Sequence, residues 1–573
     1  MGEPGADFTA KPARTPPQMW RSNAAMKWQI GAVMAALLLT LISSAQVNLT
    51  AMFLRQQDLI LLGLGLALLA ICGMRLAPQS RALSGRRYLL PLAAMVLALA
   101  CLTGHTLVLG GYDMSRDEQM VIFDAAVFRS GHLTAALPAL WRDAADALNT
   151  SFMIPAASRG AWVSAYLPGN AALHAVAGSL TAPLLSALGL IALWGCVRRL
   201  WPEDRELPIV ALLLYIGSGQ VVVTGMTAYA MSGHLALNLV WLWLFLRRHW
   251  RADVAALAVG FLATGLHQPL MHPMFAAPIL FLCLIDRQWH RAALYLLGYA
   301  VICAFWLWWP GVMWGMVQAS ADATQPAGVD YASRLMQTVM GGDGARFPNM
   351  LANLLRFAAW QHLLLLPLFA MGIIALRGHR LFAALAAGVG LTALVMTVIL
   401  PYQGHGFGYR YLHGLIGSVI LVALHGWKLA VDKQPEWRPL LIRTTVCGLA
   451  LTLALQVWMA HRFYAPYARA SAAIEASDAD YAVIDPEAAP FAQDLVINQP
   501  DLSNRPIRLD SMAVKPQLVT RLCQNRARVA FVSSGVLADI HAYFTMQADA
   551  NVALRSAELS RSFAAAGCRV SAL

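Results

Sequence analysis

Long apolar runs alternate with short polar breaks along most of this chain. A run of about 20 mainly apolar residues is what a helix needs to span the hydrocarbon core of a bilayer. Such runs fall at 28–44, 58–74, 88–109, 171–197, 207–223, 228–246, 253–266, 273–285, 292–314, 357–376, 381–400, from after 413 to 427, and at 440–460. The pattern predicts about thirteen spanning helices. Arg75, Arg81, Arg86 and Arg87, then Arg198 and Arg199, Arg247, Arg248 and Arg251, Arg287 and Arg291, Arg377 and Arg380, and finally Lys428, Lys433 and Arg438 occupy alternate breaks. Counted from the N-terminus they all fall on one face, which the positive-inside rule assigns to the cytoplasm. The runs at 253–266 and 273–285 are near the lower length limit, and merging them would invert everything downstream.

The segments 110–170, 315–353 and 401–413, and the tail 461–573, then lie outside. The basic, Pro-containing stretch 1–27 is expected to be disordered and cytoplasmic, followed by a retained helix and not by a cleaved signal peptide. The organisation expected is N-terminal spans over 28–109, a transmembrane core over 110–460 and a separate tail. In that tail 482–484, 529–532 and the stretch around Val570 have the character of short buried strands. Residues 514–523 and 554–566 have helical spacing, so a small α/β domain is predicted.

Composition sharpens this picture. Of 573 residues, 58% are hydrophobic and only 13% charged, against about 25% charged in ordinary soluble domains. A net charge of +12 does not point to nucleic acid, because the basic residues sit in short clusters between apolar runs. Most of the eight Cys lie inside apolar runs and show no metal-ligand spacing, while Cys523 and Cys568 lie in the tail, where an oxidising compartment would let them pair.

The first external segment carries the candidate chemistry. It opens on Asp113, Arg116, Asp117 and Glu118, and behind them Met120, Ile122, Phe123, Ala126 and Val127 recur at helical spacing. An amphipathic helix along the membrane surface would hold Asp117 at the water–lipid boundary. Two readings stay open: Asp117 and Glu118 cap that helix, or Asp117 takes a proton from an acceptor hydroxyl as general base. Asp124 and Arg129 would support the loop.

Asp117-Glu118 after early spans, Arg129-Ser130-Gly131-His132, Tyr166-Leu167-Pro168-Gly169-Asn170 leading into a span, and Gly408-Tyr409-Arg410-Tyr411-Leu412 at the start of another form a series. Over about 111–412 that series resembles the GT-C membrane glycosyltransferases of the protein O-mannosyltransferase and aminoarabinose transferase type. Two extra spans precede the acidic pair here, and Tyr-Leu-Pro-Gly stands where Tyr-Pro-Pro is commoner. The resemblance implies a polytopic α-helical membrane protein, GT-C-like, with a small extracytoplasmic C-terminal α/β domain. It also implies a polyprenyl-phosphate-linked sugar donor, Asp117 as base with Glu118 as its partner, and inversion at the sugar.

Charge that builds on the departing phosphate calls for a fixed cation, and Arg410, flanked by Tyr409 and Tyr411, is the candidate. Arg116, Tyr166, His267, His272 and His405 are further candidates for substrate contacts. With His413, the histidines could bind metal or phosphate, but nothing in their spacing is metal-specific, so no metal is assigned. Arg334, Asp343 and Arg346 lie in the second external segment, which could cover the donor.

The reading is a glycosyltransferase of a bacterial inner membrane acting on a hydroxyl of a glycan, lipid or protein at the periplasmic side. A polysaccharide polymerase or ligase would rely more on external Arg and His. A secondary transporter would carry ionisable residues near the bilayer midplane, whereas the spans here read as nearly free of charge.

Overall fold

The computed structural model describes residues 49–573 except 78, 80, 157 and most of 320–345, where Gln325, Val329, Tyr331, Ser333, Met336 and Met340 alone are described. The expected first span, the N-terminal stretch, Arg334 and Asp343 fall outside the described residues. Every other apolar run carries a helix. Among the described residues, seven helices are long and apolar enough to cross a membrane, and Leu207–Ile216, Met231–Phe245, Met271–Ile285 and Leu365–Ile374 are shorter apolar helices. The chain is a polytopic helical membrane protein with a small C-terminal α/β domain.

Hydrogen bonds sort the breaks between helices into two ends. At one end Arg199 donates to the carbonyls of Leu246 and Arg247 at 3.3 and 3.5 Å. There too Arg380 pairs with Asp286 at 2.6 Å and Arg438 with Glu206 at 2.8 Å. At the other end Thr50 donates to the Gln403 carbonyl at 3.0 Å, and the backbone of Leu167 and Gly169 joins that of His267 and Gly265. The basic breaks gather at the first end, as the positive-inside pattern requires. Helix Trp289–Val317 has 29 residues, which at about 1.5 Å each is some 13 Å more than the hydrocarbon needs. Its last turns rise out at the second end, where the Val317 carbonyl accepts from Gly160 N.

The expectation of uncharged spans needs correction. Asp58 and Arg356, 0% and 1% exposed, pair at 3.0 Å inside the bundle, and Asp253 pairs with Arg291 at 2.7 Å. Neither charge stands alone, and Arg356 also donates to the Gly406 carbonyl at 2.8 Å, tying this pair to the 401–409 loop.

The last span does not stop at 460. It continues as helix Leu453–Glu475 into the tail, so the first tail residues extend the span. The tail sheet is parallel, in the order Ile507–Asp510, Tyr481–Ile484, Arg528–Phe531, Arg569–Ala572. Tyr481 stands opposite Ile507 on one side and Val529 on the other. Helices Pro516–Cys523 and Ala550–Ala565 pack on it, and Cys523 is bonded to Cys568, their Cα atoms 4.8 Å apart. Strand Ile507–Asp510 and helix Ala538–Phe544 were not legible in the pattern.

The tail is seated on the bundle through shared cores. Ile484, Leu495 and Ile540 belong to the cluster that contains Trp241 and Ile420 of the spans. Val483, Leu509 and Phe531 of the sheet join Met120, Phe123 and Val127 of helix Arg116–Arg129.

Labelling tests which end faces out. Ser534 in the tail and Ser84 in the first basic break are both exposed. In spheroplasts, Ser534→Cys is expected to react with a membrane-impermeant thiol reagent, and Ser84→Cys only after permeabilisation. The reverse order would remove the site described next from the outer face.

Candidate active site

Helix Arg116–Arg129 is set by a capping box: Ser115 Oγ accepts from Glu118 N, while Glu118 Oε2 accepts from Ser115 N at 3.0 Å. Residues on most of its circumference are buried, Asp124 and Gln119 included, and its apolar positions Met120, Phe123 and Val127 pack against the tail sheet.

Adjacent residues on a helix point about 100° apart, and the acidic pair is split accordingly. Glu118 faces inward, accepting from Tyr464 Oη at 2.9 Å as well as from Ser115. Asp117 faces the opening at the second end, its side chain 19% exposed. The structure thus does not bring Glu118 to Asp117; it gives Glu118 the capping role.

Around Asp117, Tyr166 Oη donates to Oδ1, and Arg410 Nη1 donates to Oδ2 at 2.6 Å. The Tyr166 ring lies 4.0 Å from that of His267. Burial alone would raise the Asp117 carboxyl, but Arg410 and then His267, with the hydrogen bonds from Tyr166 and Arg410, hold it well below the usual carboxylate range. Burial, and then Asp117, push the Tyr166 hydroxyl the other way, well above its ordinary value.

Arg410 is aimed by its loop. Its backbone N donates to Gln403 Oε1 at 2.8 Å, and its guanidinium lies 4.8 Å over the Tyr229 ring. Gly406, at φ +122°, is required here: a Cβ would come within 2.5 Å of Arg410 Cδ. Arg410 Nε is buried without a partner. On its inward side Arg410 lines a cavity with Tyr411, His234, Asn238, His267 and Gln268. The cavity holds about 20 Å³, room for a water but not for a sugar. Both ring nitrogens of His234 are buried without a partner.

Asp117 and Arg410 touch, at 2.6 Å, so a donor phosphate would have to come between two charges that now neutralise one another.

Other candidates are placed elsewhere. Tyr409 is fully buried against Tyr411 and does not line the cavity. His272 is satisfied between Asn238 Oδ1 at 2.7 Å and Tyr299 Oη at 2.6 Å. Arg116 anchors the tail, donating to the carbonyls of Gln493 and Val496, both at 2.8 Å, with Asp494 at 3.4 Å. His405 turns toward Asp494 and the Phe491 ring; burial pushes its imidazole down to about 3, so it stays neutral there. No three His, Cys, Asp or Glu among the described residues form a group able to hold a metal ion. The contributions of Asp494, Gln403 and His234 were not foreseen.

Burial pushes Asp113, Asp124 and Asp494 up to about 7, and Glu118, with Asp113 beside it, up to about 8. These acids bind protons more tightly folded than unfolded, so stability is full below about pH 4 on their account and falls as pH rises toward 8. Asp124 accepts from Ser164 N at 3.0 Å and from Ser164 Oγ at 2.5 Å. Asp124→Asn keeps the shape and removes the titration, so thermal unfolding from pH 5 to 8 is expected to show a shallower slope than in the parent chain. An unchanged slope would mean that Asp124 is ionised when folded.

No protein-family model matches the chain, and no curated protein matches it. Among solved structures, it is similar to ArnT from Cupriavidus metallidurans bound to undecaprenyl phosphate, at 13% identity and a TM-score of 0.47, covering 81% of this chain and 90% of that one. The apo state of the same protein is similar at 12% identity and a TM-score of 0.42, covering 81% and 89%.

Proposed function

We propose that this chain is a membrane glycosyltransferase of the GT-C kind. It transfers one sugar from a polyprenyl-phosphate donor to an acceptor hydroxyl at the periplasmic face of an inner membrane. One observation carries the reading: a partly exposed carboxylate, Asp117, meets at 2.6 Å a guanidinium, Arg410, that also lines an inward cavity with His234, Asn238 and His267.

The acceptor oxygen attacks C1 of the sugar as the C1–O bond to phosphate breaks. The acceptor proton passes to Asp117, the bonding pair leaves with the polyprenyl phosphate, and the configuration inverts. Arg410 meets the charge that grows on the phosphate, a gain larger in the transition state than in the ground state. Donor phosphate and Asp117 compete for the same guanidinium. Once the phosphate has Arg410, Asp117 stays buried beside Tyr166 without its main counter-charge, and its carboxyl becomes a stronger base. Donor binding therefore switches on the base. His234, unpartnered in the cavity beneath Arg410, is a second donor to the phosphate, while Glu118 and Arg116 act as positioning residues.

The purified chain in liposomes, offered polyprenyl-phosphate donors bearing different sugars with a mixed envelope extract as acceptor, is expected to release free polyprenyl phosphate from one of them. If no donor is consumed, the reading fails. If release persists at full rate in Asp117→Asn, an acid-independent polymerase or ligase is indicated.

A further inference from the structure

Resting on that reading, we infer that the acceptor hydroxyl belongs to a pyranose ring, which stacks on the exposed face of Phe152, the outer ring of an aromatic series that reaches Asp117 through Tyr166. The base's own hydrogen-bond partner is the starting point. Tyr166, whose hydroxyl donates to Asp117, presents one face to His267 and stacks on Phe152 at 5.8 Å between ring centroids and 23° between planes. Phe152 is 51% exposed. The ring series therefore runs from solvent to the carboxylate.

The backbone at Phe152 is unusual. Its φ is +65°, a left-handed conformation that is strained for a bulky side chain and persists only when the surroundings impose it. They do: the Phe152 carbonyl accepts from Ala165 N at 2.7 Å, Met153 bridges Ser164, and Asn149 Nδ2 donates to the Gln493 carbonyl at 2.6 Å. A turn fixed on both sides thus keeps a large apolar ring exposed next to Tyr166, the hydrogen-bond partner of the base.

A pyranose suits such a surface. One face carries only C–H bonds, whose weakly positive hydrogens meet the negative face of an aromatic ring, while its hydroxyls point outward along the rim. A carboxylate and a guanidinium stand ready for hydroxyls on the same segment: Arg159 pairs with Asp146 at 2.9 Å, and Thr150, two residues before Phe152, donates to Asp146. A hydroxyl on an extended peptide would call instead for free main-chain partners, whereas the Phe152 carbonyl is already engaged by Ala165.

The test reads binding without a donor. The full chain in lipid nanodiscs, free of glycoside detergents, is titrated with methyl β-D-glucopyranoside, methyl N-acetyl-β-D-glucosaminide and cellobiose, and with a serine-containing peptide. Saturation transfer to the ligand is followed by NMR. At least one pyranoside is expected to bind saturably in the millimolar range. Phe152→Ser should weaken it at least tenfold with unchanged thermal unfolding, and Phe152→Trp should keep it and report it by an emission shift. A lipid-linked glycoside in the nanodisc that binds tighter than the soluble one would identify a glycolipid as the source; equal affinity would identify a free glycan. Absence of pyranoside binding, equal binding by Phe152→Ser, or binding of the peptide alone overturns the inference. Asp117→Asn should leave pyranoside binding intact; sugar binding without transfer in the parent chain would refute the transferase reading and the acceptor role together, and leave Phe152 as a sugar-binding surface only.

Discussion

Asp117→Asn is expected to lower turnover by about 10²–10⁴-fold, the usual worth of a positioned general base, while donor affinity stays equal or rises. The second half follows from the ion pair. In the free protein Asp117 occupies Arg410 at 2.6 Å, so the donor's phosphate must displace it. An amide holds the guanidinium less tightly and yields the site more readily. Donor binding measured with a non-transferable polyprenyl-phosphate analogue, alongside single-turnover rates, separates the two effects. A variant with near-normal single-turnover rates would exclude Asp117 as the base.

The pH profile of the parent chain tests the switch. Burial raises the Asp117 carboxyl, and Arg410 leads the groups that hold it below its ordinary range, ahead of His267 and Tyr166, so losing Arg410 to the phosphate raises it. The acid limb of kcat/KM, which reports the free enzyme, should therefore fall below that of kcat, which reports the donor complex. Coincident limbs would mean that the pair stays closed during turnover.

How far the site could be read in advance depended on which geometry the sequence encodes. Asp117 and Arg410 stood out in the sequence through motifs that resemble a known family, and the structure brings the two side chains into contact. Of the two readings open for Glu118, the geometry shows the cap: neighbours i and i+1 do not face each other on a helix, and Ser115, three residues before Glu118, marks the capping box that the helix uses. Tyr409 and Tyr411 flank Arg410 symmetrically in sequence, but only Tyr411 reaches the cavity. Asp494 could not be foreseen, since its partner Arg116 lies on the far side of nearly all the spans in chain order. Phe152 left no trace either, because a left-handed φ at an aromatic residue has no compositional signature. In the tail, three strands stood out, although Arg569–Ala572 proves to be a largely exposed edge strand and not the buried one expected. Ile507–Asp510 did not, as it alternates with charged residues and buries Arg508 through bonds to Ser471 and the Leu495 carbonyl.

Arg410→Ala is expected to reduce kcat/KM by about 10²–10³-fold, the scale seen when one preorganised donor to a developing anion is lost. Both donor affinity and the chemical step should suffer, because a phosphate contact acts in the ground state and the transition state alike. The substitution also leaves Asp117 in its buried setting without a counter-ion. Removing one partner of a buried pair costs about 3–5 kcal/mol, and the partial exposure of Asp117 puts this case at the lower end of that range. Stability should consequently fall more at pH 8 than at pH 5, since an unpaired buried carboxyl takes up a proton as pH drops and sheds the penalty. Arg410→Lys controls for folding: it restores the charge and most of the stability but not the planar two-pronged contact, so donor affinity should recover further than turnover. The double variant Asp117→Asn with Arg410→Ala completes the cycle. If the two act on one another as the 2.6 Å contact implies, its stability should exceed that of Arg410→Ala alone, because no charge is left unpaired. Strict additivity of the two single losses would mean that the ion pair does not form in the membrane.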